Sequence, residues 1–408
     1  MNWADYLIPA TCNIGKQGSF SDTITIYKGE AGFNLPVSTK VAIIGVPEDR
    51  FSDGAGEIKS PSAIRKQLYA LSAGSQGTVV DLGNLRTGKT LVDTYYGLRD
   101  IVAELYGQNI VTLLIGGTLD VFYGNCLAME GQNVTLTTVA PRLRLPVYGD
   151  KIHPLNTLVF DQPEIETEGA RPIRFLKPDR SQSPDRSLSP ETSNVKLQTS
   201  NFCNIGYQSY YVSQQDLDYF SDQHFEAYRL GEVREGNLRG IEPVIRDSDL
   251  LAISMDAVKC SDAPAASNVS PNGFTGEEIC QIAFFAGLSH QCRSLGIFDM
   301  LAQNDVQDIT AKLAAQIAWY FAEGVKKRNP DNPKDNIHNF KKYLIYFDQL
   351  HHNLCFYKNN QTERWWMEVP SVINNDDGVI ISCTQEDYVR ATEQEIPDRW
   401  WKTYQRIN

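Results

Sequence analysis

The chain alternates short apolar runs with stretches whose apolar residues recur at helical spacing. Val41-Ala42-Ile43-Ile44-Gly45-Val46 is a continuous apolar run closed by Pro47, the pattern of a strand buried on both faces. Ser60-Pro61 then reads as a helix start, with Ser as N-cap and Pro at the first helical position, and Ile64, Leu68 and Leu71 supply one apolar face. Val79 to Leu82 predicts a strand. Tyr95, Leu98, Val102 and Leu105 predict a helix, Ile110 to Ile115 a strand, and Val134 to Val139 another after an intervening helix. The alternation resumes with a strand at Leu250 to Met255, a helix at Glu277 to Leu288, a strand at Ser294 to Phe298 and a helix at Asp308 to Glu323. Strands and helices in this order predict a three-layer α/β/α sandwich around a mostly parallel sheet, whose ligands sit at the carboxyl ends of its strands.

Two regions break the pattern. Residues Glu166 to Gln198 hold Pro172, Pro178, Pro184 and Pro190 among Ser, Asp and Arg, which predicts a flexible insertion suited to a partner-binding or phosphorylated segment. From about Asp335 the chain becomes aromatic. Tyr343 to Phe347, Leu354 to Tyr357 and Arg364 to Val369 predict strands, and Ile396 to Trp401 a helix start. These aromatics read as packing anchors. The division is therefore an N-terminal extension at 1–40, an α/β domain at 41–330 and a C-terminal extension at 335–408.

Composition narrows the function. With 38 Lys+Arg against 50 Asp+Glu, the net charge of −12 disfavours nucleic acid and anionic membranes as partners. No run has the length of a membrane span, and the opening Met1-Asn2-Trp3-Ala4-Asp5 is unlike a secretory signal. Eight cysteines stand singly, without Cys-x-x-Cys, as reduced cytoplasmic thiols do. Cys126, Cys203 and Cys260 lack the neighbouring His and Asp of a nucleophile site and read as buried. His351-His352 would point to opposite faces of a strand, which is poor geometry for one metal. Glu277-Glu278 suits a helix N-terminus, and Gly116-Gly117 a tight turn rather than a phosphate loop, because no Lys-Ser/Thr follows.

Three segments, in order, resemble the ureohydrolases: arginase, agmatinase and formimidoylglutamase. They are Ile44-Gly45-Val46-Pro47 with Gly54-Ala55-Gly56 and Ser60-Pro61-Ser62-Ala63-Ile64-Arg65; Leu114-Ile115-Gly116-Gly117; and Ser254-Met255-Asp256 with Ser270-Pro271-Asn272-Gly273-Phe274-Thr275 and Glu278. The resemblance covers about residues 40 to 325. Phrases such as Asn204-Ile205-Gly206-Tyr207-Gln208-Ser209-Tyr210, Arg229-Leu230-Gly231-Glu232 and Arg364-Trp365-Trp366-Met367-Glu368-Val369-Pro370 are most similar to Bacteroidetes formimidoylglutamase-like proteins, which also carry an aromatic C-terminal extension.

The resemblance implies an arginase-like fold and hydrolysis of a carbon–nitrogen bond by two manganese ions about 3.5 Å apart, which activate a bridging water. The family holds this pair with six His and Asp ligands. Carried over one by one, those ligand positions fall on Leu119, Val139, Pro141, Leu143, Asp256 and Val258, with Thr118 in the Asp position of Gly-Gly-Asp-His. Only Asp256 keeps a ligand side chain, as the one trace of the metal chemistry. Arg142 lies within the lost trio and Arg144 directly after it, and the family's substrate-facing Glu falls on Asp299. The expectation is a pseudoenzyme with a degenerate metal site, no catalytic residues and no cofactor. Its role would be structural, regulatory or ligand-sensing, exercised through an unidentified protein partner or self-association. Asp256, Asp299, Asp120 and Arg142 remain as pocket residues for a small cationic ligand, or Arg142 pairs with Asp256 as a built-in cation. The alternatives are a formimidoylglutamase- or agmatinase-like hydrolase of linear amidines with a rebuilt Mn2+ site, and an enzyme of different chemistry in the same pocket.

Overall fold

The computed structural model describes residues 2–11, 17–30, 32–52, 56–73, 78–130, 132–143, 199–236, 238–329, 331–348, 352–371 and 378–408. The predicted insertion at 166–198, Gly54-Ala55, Arg144 and His351 lie outside the described residues.

Fourteen strands are described: β1 Leu7–Ile8, β2 Thr25–Ile26, β3 Val41–Gly45, β4 Val79–Leu85, β5 Val111–Ile115, β6 Val134–Val139, β7 Thr199–Tyr207, β8 Glu226–Arg229, β9 Leu250–Ser254, β10 Ser294–Phe298, β11 Phe340–Phe347, β12 His352–Asn359, β13 Trp365–Val369 and β14 Val379–Cys383. The first ten form one sheet in the order β1-β4-β3-β5-β10-β9-β6-β7-β8, with β2 beside β4. Every pairing in it is parallel except β1 with β4. Side chains alternate along each strand, so β3 sends Val41 and Ile43 into one core and Ala42 and Ile44 into the other. Helices Ser60–Ala70, Gly276–Leu288 and Ile309–Lys326 cover the first core, and Leu91–Gly107 with Phe122–Leu127 the second. The three-layer α/β/α sandwich read from the sequence is the observed architecture.

Some local expectations change. Ser60 is not an N-cap: it already has helical backbone angles, and Lys59 precedes it as the cap residue. The Ser60 hydroxyl instead donates to the Met300 carbonyl at 2.5 Å, tying this helix to the end of β10. The N-terminal region is not peripheral, since β1 and β2 pair with β4 and Trp3, Leu7 and Tyr27 join the second core. Glu278 closes a capping box with Thr275, which sharpens its predicted place at a helix N-terminus. Cys126 and Cys203 are buried as expected, whereas Cys260 is exposed. Burial pushes the Cys126 thiol up to about 12, far from a reactive thiolate.

The C-terminal segment forms a second, antiparallel sheet, β11-β12-β13-β14. Helices Gln385–Thr392 and Asp398–Ile407 cover one face, where Phe356, Trp365, Met367 and Trp400 are buried. The other face meets the main domain through Arg246, whose guanidinium lies 4.3 Å from the Trp366 ring centroid. Trp365, Trp366 and Trp400 are the expected packing anchors, while Trp401 is 41% exposed. His352 is exposed on β12, far from the main-sheet strand ends.

Candidate strand-end site

Parallel strands share one carboxyl edge, and β3, β5, β10, β9 and β6 are consecutive in the sheet. The segments that follow them therefore meet along one edge. They carry Glu48 after β3, Leu119 and Asp120 after β5, Asp299 after β10, Asp256 and Val258 after β9, and Pro141 to Leu143 after β6. All the positions that the resemblance assigned to ligands come to this edge. The motif glycines explain how the backbones fit. Gly116 and Gly117 have φ of 82° and 81°, and a Cβ on Gly116 would lie 2.5 Å from the Pro61 ring. The tight turn expected there is present, and it lets the end of β5 approach the helix that begins at Ser60.

The ligand positions are filled by core. Val139 and Val258 are fully buried among Ile253, Met255 and Phe274, and Leu119 and Leu143 lie in the opposite core with Phe122. Pro141 is buried, and its carbonyl accepts the Gln208 N–H at 2.9 Å. Asp256, 1% exposed, accepts two hydrogen bonds from Asn268, one from the backbone N–H at 2.7 Å and one from the side-chain amide at 3.0 Å. Asp299 stands in the left-handed region at φ 64°. One of its carboxylate oxygens accepts the Leu119 N–H at 3.0 Å, the other the Ser254 hydroxyl at 2.5 Å. Arg142 lies 4.4 Å from the Tyr211 ring centroid. Asn268 thus reaches back from the loop after β9 to Asp256, while Arg142 stacks on the segment following β7.

Asp120 accepts hydrogen bonds from the Tyr95 and Thr118 hydroxyls. Burial pushes its carboxyl up to about 7; the two hydroxyls oppose this, and the nearby Asp299 and Glu48 carboxylates add to it. A carboxyl raised in the fold contributes stability while it is protonated and loses that contribution as pH rises from the usual 3.8 through about 7. Asp120→Asn is therefore expected to raise the melting temperature at pH 8 and to change it little at pH 4. An equal shift at both pH values would contradict this.

Two further acids at this edge escaped the sequence reading. Glu48 immediately follows the Ile44-to-Pro47 motif. Burial alone would raise its carboxyl, but hydrogen bonds from the Arg50 side chain and backbone hold it below the usual range. Glu57 is fully buried, with hydroxyl donors Ser52 at 2.8 Å and Ser267 at 3.1 Å; burial raises its carboxyl, and Asp299 adds to the rise. Their only sequence signal was an acid directly after a strand end or a glycine turn.

Among the described residues, the positions carried over as ligands offer one carboxylate, Asp256. Hard divalent ions require several convergent carboxylate and imidazole donors. Among the described residues, no group of three or more His, Cys, Asp or Glu is arranged to hold a metal ion. The described histidines all lie elsewhere: His224 and His290 precede β8 and β10 at the opposite edge, His338 lies in the turn before β11, and His352 begins β12. No helix of the described residues is long and apolar enough to cross a membrane.

Comparison with known proteins agrees with this architecture. The arginase family model matches residues 176–323. The formimidoylglutamase of Staphylococcus carnosus is 23% identical over 273 residues, covering 64% of this chain and 77% of that protein. Among solved structures, the formiminoglutamase of Trypanosoma cruzi, determined with Mn2+, superposes with a TM-score of 0.56 at 18% identity, over 73% of this chain and 97% of that one. The formimidoylglutamase of Bacillus subtilis superposes with a TM-score of 0.56 at 17% identity, over 77% and 93%. At these identities the superpositions speak for the fold alone. Together with the family match over residues 176–323 and the ordered motifs at the strand ends, they lead to one conclusion: the chain has an arginase-like fold and is similar to the formimidoylglutamases.

Proposed function

We propose that this protein is a non-catalytic member of the ureohydrolase superfamily, a pseudoenzyme with a structural, regulatory or ligand-sensing role in the cytoplasm. One observation carries the reading: the positions that would ligate a dimetal centre hold Leu119, Val139, Pro141, Leu143 and Val258, which are buried, and the remaining Asp256 is gripped by Asn268. Losing even a single outer-shell partner costs about 10–100-fold in metal affinity or activity, so losing five direct ligands removes the basis for a dimetal mechanism. In this reading the α/β domain, which β1 and β2 join, supplies the scaffold, and the extension at 335–408 adds surface for a protein partner or self-association.

The second reading is a formimidoylglutamase-like hydrolase of linear amidines with a rebuilt Mn2+ site. It is favoured by the carboxylates Asp120, Asp256 and Asp299 at one edge, of which Asp256 alone stands at a carried-over ligand position, and which also suit a small cationic ligand. Elemental analysis of the purified protein after Mn2+ loading and desalting separates the two, with formamide and urea release measured on formimidoylglutamate, agmatine and arginine. The pseudoenzyme reading expects neither bound manganese nor product. Two equivalents of manganese together with product release would sink it.

A further inference from the structure

The C-terminal sheet has two edges with opposite treatment. At β14 the backbone is covered by the main domain. Asp247 accepts the Ser382 N–H at 2.9 Å and its hydroxyl at 2.5 Å, and Arg399 of the C-terminal helix, itself paired with Asp247, donates to the Ser382 carbonyl at 2.5 Å. β11, at the other edge, has no strand beside it among the described residues.

The open side of β11 is identified by one residue. The Gln394 side-chain amide donates to the Tyr346 carbonyl at 3.0 Å and accepts the Asp348 N–H at 3.1 Å, so these groups face away from β12. In an antiparallel ladder the N–H and C=O of one residue point to the same side, and sides alternate along the strand. The backbone N–H and C=O of Lys342 and Leu344 therefore face the same open side. Gln394 supplies one rung of the ladder that an added strand would complete.

The side chains along this edge are both apolar and cationic. Leu344 is 62% exposed and Tyr346 54% exposed, and with Lys342 they share one face of the strand. Lys341 stands directly opposite Lys358 in the register, a like-charge pair that is unfavourable in itself. Lys358, on β12, pairs with Glu363 at 3.4 Å, and Lys341 and Lys342 stand together at one end of the exposed strand, in a chain whose net charge is −12. Lysines on an open edge discourage pairing with a second copy of the same edge. They favour a strand that brings carboxylates.

We propose that β11 is a docking edge for an extended acidic segment of another protein. The segment adds as a fifth strand, with two adjacent carboxylates opposite Lys341 and Lys342 and an apolar side chain opposite Leu344. The backbone ladder supplies affinity and the alternate side chains supply specificity, as in other strand-addition complexes. The proposal does not depend on the state of the strand-end site, so a measured hydrolase activity would leave it standing.

The test uses the full-length protein and the labelled peptide Ser-Val-Thr-Glu-Glu-Thr-Val-Ser, which presents the same pattern in either strand direction, followed by fluorescence anisotropy. Saturable binding is expected, weakened about tenfold or more when the two Glu are replaced by Lys. Leu344→Pro removes an outward N–H that the β12 ladder does not use, so the fold should survive while binding is lost; far-UV circular dichroism checks the fold. The double variant Lys341→Glu/Lys342→Glu should reverse the preference toward the Lys peptide, and Gln394→Ala, which opens another rung, should tighten binding of the Glu peptide. Equal affinity for the two peptides would overturn the proposal. So would absence of binding by the wild-type protein, or a dimer in sedimentation that Leu344→Pro dissolves, since the edge would then serve a second copy.

Discussion

Restoring the ligands should make the stability of this protein depend on manganese. The variant carries Leu119→His, Val139→Asp, Pro141→His, Leu143→Asp and Val258→Asp beside the native Asp256. All five positions are buried, so three new carboxylates and two imidazoles enter sites built for apolar side chains. Without metal, each unpaired buried charge costs several kcal/mol, and the melting temperature should fall steeply. An ion that binds only the folded state adds about 4 kcal/mol at a thousandfold excess over its Kd, so Mn2+ should recover much of the loss. Thermal melts with and without Mn2+, together with elemental analysis, measure the effect. A variant that stays folded, takes up no manganese and melts identically in both conditions would show that the ligand positions are misassigned. Asp256 is the limiting ligand, because Asn268 competes for both of its oxygens.

The second large effect is expected at Arg399. Its guanidinium bridges Glu226 at 3.0 Å, Asp247 at 3.0 Å and the Ser382 carbonyl, joining the C-terminal helix to β8, to the main domain and to the edge of β14. Removing one partner of a buried ion pair costs about 3–5 kcal/mol, because the other charge is left uncompensated. Arg399→Met should therefore lower stability by this order and loosen the C-terminal sheet. The pH dependence gives an independent reading. Burial would push the Glu226 carboxyl up, but Arg399, the Tyr228 hydroxyl and Arg406 outweigh it and hold it at about 2, against the usual 4.5. A carboxyl lowered in the fold stabilises above its unfolded value and loses that contribution as pH falls from 4.5 through about 2. At about 1.4 kcal/mol per pH unit this amounts to about 3 kcal/mol. Urea midpoints of the wild-type protein should drop across this window. In Arg399→Met the drop should vanish, because burial then favours the protonated acid. Parallel losses in both proteins would count against the clamp.

The main sheet was legible because strands buried on both faces are largely apolar runs, as β3, β5, β9 and β10 are, and because β6, with Thr135, Thr137 and Thr138, is rich in β-branched residues. β7 and β8 were not, for the opposite reason. β7 buries Asn201 and Asn204, and β8 buries Glu226, polar residues made acceptable only by distant partners. Asn204 donates to Thr138 and to the Arg142 carbonyl, and Glu226 meets an arginine 173 positions away. Nothing local announces such bonds. At the site the same division holds. Topology alone brought Leu119, Val139, Pro141, Leu143, Asp256, Val258 and Asp299 to one edge, so their convergence could be read from strand order. The partners of Asp256 and Arg142 could not, because they depend on how the loops after β9 and β7 turn back. Asp120, Glu48 and Glu57 owe their perturbed carboxyls to burial, which only the packed structure assigns.

The grip of Asn268 on Asp256 bears on how the history of such proteins is read. A carboxylate that takes both the N–H and the amide of one residue 12 positions downstream latches the loop between them. Its replacement would release that loop whether or not a metal had ever been bound nearby. An aspartate here can thus be held by selection for loop architecture long after selection for hydrolysis has ceased. Counting surviving ligand residues would then overstate how recently a lineage was an enzyme, and the last aspartate of a metal site need not be a relic of its chemistry.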